Sequence, residues 1–465
     1  MSKLGPGESV IRMYAAREEI YPREAKGRYA TLRWVCVCLT QLVFYGLPWL
    51  NWNGRQAVLF DLGARKFYIF GVVLWPQDFI YLAALLIICA YALFLVTAMA
   101  GRVWCGFACP QTVYTEIFMW IERRIEGARS ARIRLDRQPW NADKLARKGA
   151  KHAAWFAVAL WTGFSFVAYF TPTSSLLGAV ASFSLGPWET FWLMFYALAT
   201  YGNAGWLREQ VCKYMCPYAR FQSSMFDKDT LIVTYDAARG EPRGPLALKG
   251  EATGKRGACI DCGVCVQVCP VGIDIRKGLQ YECIGCAACI DACNTVMDKI
   301  DLPRGLIRFS TEQGVAKGWC ATQVRRRVLR PRVLIYSGLL MLIVGAFGAA
   351  LALRAPLKLD VIRDRGAMGR EVEDGLIENV YRLQVMNTAE SVHTFRVAVS
   401  GLKSIGLATP ELVTLDAASA RAVPVRVRVP REAARTGSNR IEFELTAVDD
   451  ASLRVKEKAV FIVPK

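Results

Sequence analysis

Eight cysteines fall between residues 259 and 293: Cys259, Cys262, Cys265 and Cys269, then Cys283, Cys286, Cys289 and Cys293. The first four, with Pro270 behind them, spell C-x2-C-x2-C-x3-C-P, and the second four repeat the run with Asn294 in place of the proline. This is the bacterial ferredoxin spacing: three thiolates two residues apart wrap one face of a 4Fe-4S cubane, and the fourth ligates the other cluster. The expected wiring joins Cys259, Cys262 and Cys265 with Cys293, and Cys283, Cys286 and Cys289 with Cys269. A structural zinc would use four of these thiols and leave the doubled run unexplained. Two clusters held this way make an electron wire, and a wire needs a terminal.

The candidate terminal is a second pair of motifs, "WCGFACP" with Cys105 and Cys109, and "VCKYMCP" with Cys212 and Cys216. A spacing of i to i+4 predicts two sulfurs on one helical face, so two such pairs facing each other make a four-thiolate site. Soft thiolates suit Cu(I) or an iron–sulfur centre, and Met99, Met119 and Met215 would add thioethers if they face inward. Copper, a further cluster and a redox-active thiol pair all remain open at this point. The isolated Cys36, Cys38, Cys89 and Cys320 read as small apolar packing residues. The two histidines, His152 and His393, lie in different predicted compartments, which leaves no bis-histidine haem and no histidine triad.

The elements that position these residues are membrane spans. The chain has 465 residues, 53% of them hydrophobic, and five segments approach the length needed to cross a bilayer: about 31–50, 79–100, 153–172, 188–206 and 333–353. Lys and Arg are dense before the first span, sparse in 51–78, dense in 101–152 and absent from 172–187. That alternation puts the N-terminus, the 101–152 loop and the 207–332 segment in the cytoplasm, and a fifth span sends the C-terminal region outward. Each CxxxCP motif then follows a span running inward, and both arrive at the same cytoplasmic membrane surface. Trp49, Trp52, Trp75 and Trp188 mark outer ends, and Trp104 and Trp206 inner ends. The net charge of +19 follows this cytoplasmic bias, so no nucleic-acid partner is expected. The glycine- and arginine-rich stretches near 240 and 254 read as flexible linkers, and clustered cysteines without a signal peptide point to a reducing compartment.

Residues 355–465 change character, with no cysteine and period-two alternation in "VYRLQV", "TFRVAV", "VPVRVRV" and "IEFELTAV". Short strands separated by turns such as "RTGSN" predict an antiparallel sandwich facing outward as a docking module. The expected organisation is a cytoplasmic segment 1–30, spans 1–4 over 31–206, a cytoplasmic 207–332 with the ferredoxin-like domain at about 255–300, span 5 at 333–353 and the sandwich at 355–465.

Paired CxxxCP motifs on spans, the run "CVQVCPVGIDIRKGLQYECIGCAACIDAC", a fifth span and a sandwich tail together resemble the CcoG (FixG, RdxA) family of cytochrome c oxidase accessory proteins, over nearly the whole length. The resemblance implies an immunoglobulin-like tail in the periplasm and a bacterial inner-membrane protein acting in maturation of the cbb3-type oxidase. It also implies similarity to a copper reductase that converts Cu(II) to Cu(I), working with oxidase subunits or copper-delivery proteins and a cytosolic electron donor. Cys105, Cys109, Cys212 and Cys216 match the family's CxxxCP motifs, and the eight ferredoxin cysteines match its cluster ligands. Two other readings stand beside it: a quinol-linked electron-transfer subunit of the NapH or NosR type, and a non-enzymatic assembly scaffold. The outward domain after the last span favours the oxidase-accessory group.

Overall fold

The apolar runs fold as helices whose leucines and isoleucines point away from the chain. In this computed structural model, which describes residues 19–245, 256–364, 369–372, 375–389 and 391–464, three helices are long and apolar enough to cross a membrane: Arg28–Trp49, Pro76–Ala100 and Pro331–Ala352. Leu39, Leu42, Ile80, Leu86, Met341 and Leu342 on them are all exposed. An apolar surface that continuous is consistent with a membrane protein.

The other two expected spans take a different form. Helix Ala142–Val167 begins earlier than the apolar run, and Asp143, Lys144, Arg147, Lys148 and Lys151 charge its first half. Helix Pro187–Thr200 has only 14 residues and runs on as a π-helical stretch, Tyr201–Leu207. The two meet closely, since a Cβ on Gly163 would fall 2.3 Å from the Leu193 carbonyl oxygen. Only a glycine permits that backbone approach.

The chain divides into two units. One comprises Met1–Gly46, Ile87–Val167 and Ser184–Met341, and the other Leu47–Leu86, Ala168–Phe183 and Leu342–Lys465. In the second unit the alternating segments form two antiparallel sheets. One orders the strands Gly406–Leu407, Ala420–Pro430, Leu376–Asn387 and Leu357–Arg363, with Arg370–Val372 also pairing on Leu376–Asn387. The other orders Leu412–Leu415, His393–Ser400, Gly437–Ala447 and Arg454–Val463. Period two explains the core: Ile441, Phe443 and Leu445 point in, beside Tyr381, Leu383, Phe395, Val427 and Phe461, while Arg440, Glu442 and Glu444 stay at or near the surface.

Glu378 is a buried charge on strand Leu376–Asn387, with its side chain fully buried and held by Arg370 and Arg428 at 2.5 and 2.7 Å. Burial pushes its carboxyl up, but the two guanidiniums outweigh that and hold it below the usual range. A depressed pKa contributes stability above the unfolded value and loses it as pH falls through the folded one. Glu378→Gln is therefore expected to cost about 1–2 kcal/mol at neutral pH, both arginines being half exposed. Thermal unfolding at pH 7 and pH 3 checks this, and the difference between wild type and variant should shrink in acid.

Several sequence expectations are corrected in this unit. Residues 51–78 are more than a connection: they form a hairpin, Asn51–Trp52 with Arg55–Gln56, and a meander of Val58–Asp61, Lys66–Ile69 and Val72–Leu74. Trp75 is not an interfacial anchor, being buried with Val73 and Met386. His393 has partners, Asp449 Oδ2 at 2.5 Å and Ser391 Oγ at 2.7 Å, in an exposed array at the start of its strand. In the first unit the stretch near 240 is no loose linker. It packs as the short helix Ala237–Gly240, with the Ala258 amide donating to the Arg239 carbonyl. The linker expected near 254 lies mostly in 246–255, outside the described residues.

Candidate metal centre

The two ferredoxin runs fold as near copies. In "CIDCGVC" the residues flanking the second cysteine, Asp261 and Gly263, have φ of 51° and 65°, and in "CIGCAAC" Gly285 and Ala287 have 67° and 59°. Left-handed residues on both sides of a cysteine wrap the backbone into a concave loop. Each loop then enters a helix, Val264–Gln267 or Ala288–Lys299. The strands Ile232–Tyr235 and Ile307–Ser310 pair beside them, and Val233, Tyr235, Ile275, Ile290, Met297 and Leu306 complete the apolar packing.

Two small cavities lie inside this segment. Cys259, Cys262, Cys265 and Cys293 line one; Cys269, Cys283, Cys286 and Cys289 line the other, with Cys265 in its wall. Apart from Cys265 in that wall, each cavity draws three cysteines from one run and one from the other. Burial pushes the thiols up, Cys265 and Cys269 to about 11 and Cys283 and Cys293 to about 12. Unaided they stay protonated at neutral pH, and a bound metal cation would offset this by favouring the thiolates. Among the described residues no three His, Cys, Asp or Glu side chains gather closely enough for a single metal ion. Quartets spread around a cavity fit the corners of a cubane cluster rather than one zinc.

The CxxxCP pairs are built differently from the expected single helical face. Cys105 lies in the short helix Val103–Phe107, while Cys109 is extended (φ −61°, ψ 129°) and caps the next helix, Pro110–Glu126. Cys216 repeats this (φ −78°, ψ 110°), between the π-helical Val211–Met215 and helix Pro217–Met225. The proline is the cause: it forces the preceding residue out of the helical region and then starts a new helix at its first position. Each second cysteine thus sits at a helix break. The backbone N–H groups of Gln111 and Thr112 there favour the Cys109 thiolate, but burial outweighs them and raises its pKa.

The four thiols are close enough to act on one another electrostatically. Burial is the main cause that lifts Cys105 to about 11 and Cys212 to about 12. Cys105 Sγ also donates to Oε1 of the fully buried Gln222 at 3.4 Å. Behind the second pair, Arg208 has the unusual dihedrals φ 42° and ψ −111°. Gln111 Nε2 donates to the Asn203 and Arg208 carbonyls at 2.9 and 3.1 Å, holding this turn in place. Strained and π-helical backbone of this kind collects at functional sites. Of the candidate thioethers, Met119 lines a small cavity shared with Cys212 and Cys286, whereas Met215 is 58% exposed and faces away.

The two sets of cysteines touch through glycine. A Cβ on Gly106 would fall 2.8 Å from the Cys286 Cα and N and from the Ile284 carbonyl oxygen. In return, a Cβ on the left-handed Gly285 would lie 3.1 Å from the Arg102 carbonyl carbon. Phe107 enters the ferredoxin core, and Cys105 and Cys212 pack against the cluster that contains Cys286 and Ile284. Two buried arginines flank this junction, Arg33 and Arg102. Neither was among the expected site residues, although an arginine inside the apolar run 31–50 is a signal of function in itself. Of the isolated cysteines only Cys36 packs against this core, while Cys38, Cys89 and Cys320 are exposed.

Comparison with known proteins agrees with this division. Residues 207–312 match a model described as a 4Fe-4S dicluster domain, residues 82–127 one described as a 4Fe-4S binding domain, and residues 347–464 the IG-like fold at the C-terminal of FixG. The chain is 38% identical to the nitrogen fixation protein FixG of Rhizobium meliloti, covering 95% of this chain and 91% of that one. It is 41% identical to protein RdxA of Cereibacter sphaeroides, covering 84% of each. A crystal structure of a FixG-related protein from Vibrio parahaemolyticus aligns with 23% of this chain and 95% of its own, at 22% identity and a TM-score of 0.21.

Proposed function

Because the chain belongs to the FixG and RdxA family, and carries 4Fe-4S binding domains and an IG-like fold, we propose that it hands single electrons to Cu(II) in the assembly of a cbb3-type oxidase. The observation that carries this reading is the backbone contact of Gly106 with the Ile284–Cys286 loop, which sets the four-cysteine site directly against one ferredoxin quartet. Cys259, Cys262, Cys265 and Cys293 hold one 4Fe-4S cluster, and Cys269, Cys283, Cys286 and Cys289 hold the other. Bound there, the clusters supply one-electron storage fed by a cytosolic carrier.

Copper is reduced at Cys105, Cys109, Cys212 and Cys216, which close around it on binding, since as they stand no three of them gather about one point. One electron converts Cu(II) to Cu(I), the state soft thiolates retain. The helix breaks at Cys109 and Cys216 aim each second sulfur without a continuous helix, and Gln222 fixes Cys105 through its hydrogen bond. In this reading helices Ala142–Val167 and Pro187–Leu207 serve as the third and fourth of five spans. The clusters and N-terminus then lie in the cytoplasm of a bacterial inner membrane and the sandwich in the periplasm, where it meets oxidase subunits or copper-delivery proteins.

The raised thiol pKa values set a pH dependence. Below those values each thiol must lose a proton to bind Cu(I), so apparent affinity should climb about ten-fold per pH unit for each proton displaced. The climb should persist throughout the neutral range, because burial pushes Cys105 up to about 11 and Cys212 up to about 12. Competition with a Cu(I) chelator between pH 6 and 9 measures the slope, and a flat profile contradicts thiolate ligation.

One observation favours a second reading of the same cysteines. The 82–127 match to a 4Fe-4S binding domain covers Cys105 and Cys109, which fits a third cluster in place of copper. Iron and sulfide analysis separates the two. Iron for two clusters, unchanged in a Cys105→Ala, Cys109→Ala variant, supports copper; iron for three, falling to two in that variant, supports the third cluster.

A further inference from the structure

The charged groups placed beside the two quartets differ. Beside the first, Arg276 is paired with both Asp274, at 2.8 Å, and Asp261, so the group carries net negative charge. Beside the second, the buried Arg33 lines one small cavity together with Cys286, and its Nε stands 3.7 Å from Glu116. Glu116 is itself shared with Arg123 at 3.5 Å. Arg102, also buried, acts on Cys283, Cys105 and Cys212 and donates to the Ala219 carbonyl. Among the described residues no carboxylate pairs with it. Two further buried acids lie nearby: Asp291 accepts the Ala30 amide at 2.7 Å, and Glu209 lines the cavity of Cys286 beside Arg208.

A cubane held by four thiolates is an anion, and reduction adds one more negative charge. Burial alone disfavours that extra charge, whereas fixed positive charge in a poorly screened interior favours it. We infer that Arg33 and Arg102 are positioning residues that hold up the reduction potential of the cluster at Cys269, Cys283, Cys286 and Cys289, making it the exit from which electrons cross to Cys105. The inference rests on the ligand assignment proposed above and adds a direction to it. Electrons enter at the first quartet, where Cys262 is exposed to water, and collect at the second, against Gly106. The two arginines reach the quartet from different sides, one from the first apolar helix and one from the CxxxCP loop.

An EPR-monitored redox titration of the purified full-length protein tests this without copper, so the copper assignment can fail separately. In Arg33→Gln one of the two midpoints should fall far enough to lower the reduced-to-oxidised ratio at a fixed potential at least about ten-fold, which is 59 mV for one electron. Arg33→Lys should restore most of it, and Glu116→Gln, which removes the opposing carboxylate, should move the same midpoint upward. Arg276→Gln should move the other midpoint only. If Arg33→Gln loads clusters poorly, the Lys and Glu116 variants carry the test by themselves. Midpoints unchanged in the Arg33 and Glu116 variants, or a shift of the midpoint that Arg276→Gln moves, would overturn the inference.

Discussion

Alanine at both Cys105 and Cys109 is expected to cut the rate of Cu(II) reduction by about 100-fold or more while leaving both ferredoxin quartets loaded. Removing one pair of thiolates leaves copper with only Cys212 and Cys216, and loss even of outer partners costs metal sites about 10–100-fold. The quartets should survive because they draw on residues 259–293 alone and pack around their own core of Val233, Ile275, Ile290 and Met297. Absorption and EPR spectra check loading, and Cu(I)-chelate formation under anaerobic conditions gives the rate. A variant with intact clusters and wild-type reduction would remove these cysteines from the role of terminal.

Gly106→Val carries the second large effect, and it acts through the backbone. The added side chain meets the Cys286 Cα and N and the Ile284 carbonyl at 2.8 Å, none of which can rotate aside. Either the CxxxCP loop lifts off the ferredoxin loop or the whole junction shifts, at a cost of about 3 kcal/mol or more. Reduction of the clusters by dithionite should proceed normally, while transfer to Cu(II) slows and the unfolding temperature drops. A Gly202→Val control, where nothing lies within 4 Å of the added Cβ, should lack the Cys286 clash. Transfer at the wild-type rate in Gly106→Val would mean that electrons leave elsewhere.

The ferredoxin quartets were readable because their chemistry is local: two tripeptide steps place three thiols around one loop, and only the crossed fourth ligand needs the fold. The sandwich was readable for a similar reason, since alternation in "IEFELTAV" follows directly from one face being buried. The CxxxCP motifs are legible in the sequence, but the i to i+4 spacing suggests one helical face where the proline that follows decides the geometry. Pro110 and Pro217 break the helix at the second cysteine, a rule that was itself legible. Trp75 and Met215 show the limit of one-residue inference, one turning inward where exposure was expected and the other outward. Arg33 and Arg102 were passed over as part of the cytoplasmic charge bias. Their role depends on which loop they face, and that is a property of packing between segments more than 150 residues apart.

The account's central claim is that electrons stored by the eight-cysteine segment reach copper. Anaerobic stopped-flow mixing of the reduced protein with Cu(II), following cluster absorbance and Cu(I)-chelate formation together, tests it most directly. The account predicts that cluster oxidation and Cu(I) appear in step, one copper per electron lost. Clusters that stay reduced in the presence of Cu(II), yet are oxidised by a quinone analogue, would contradict it.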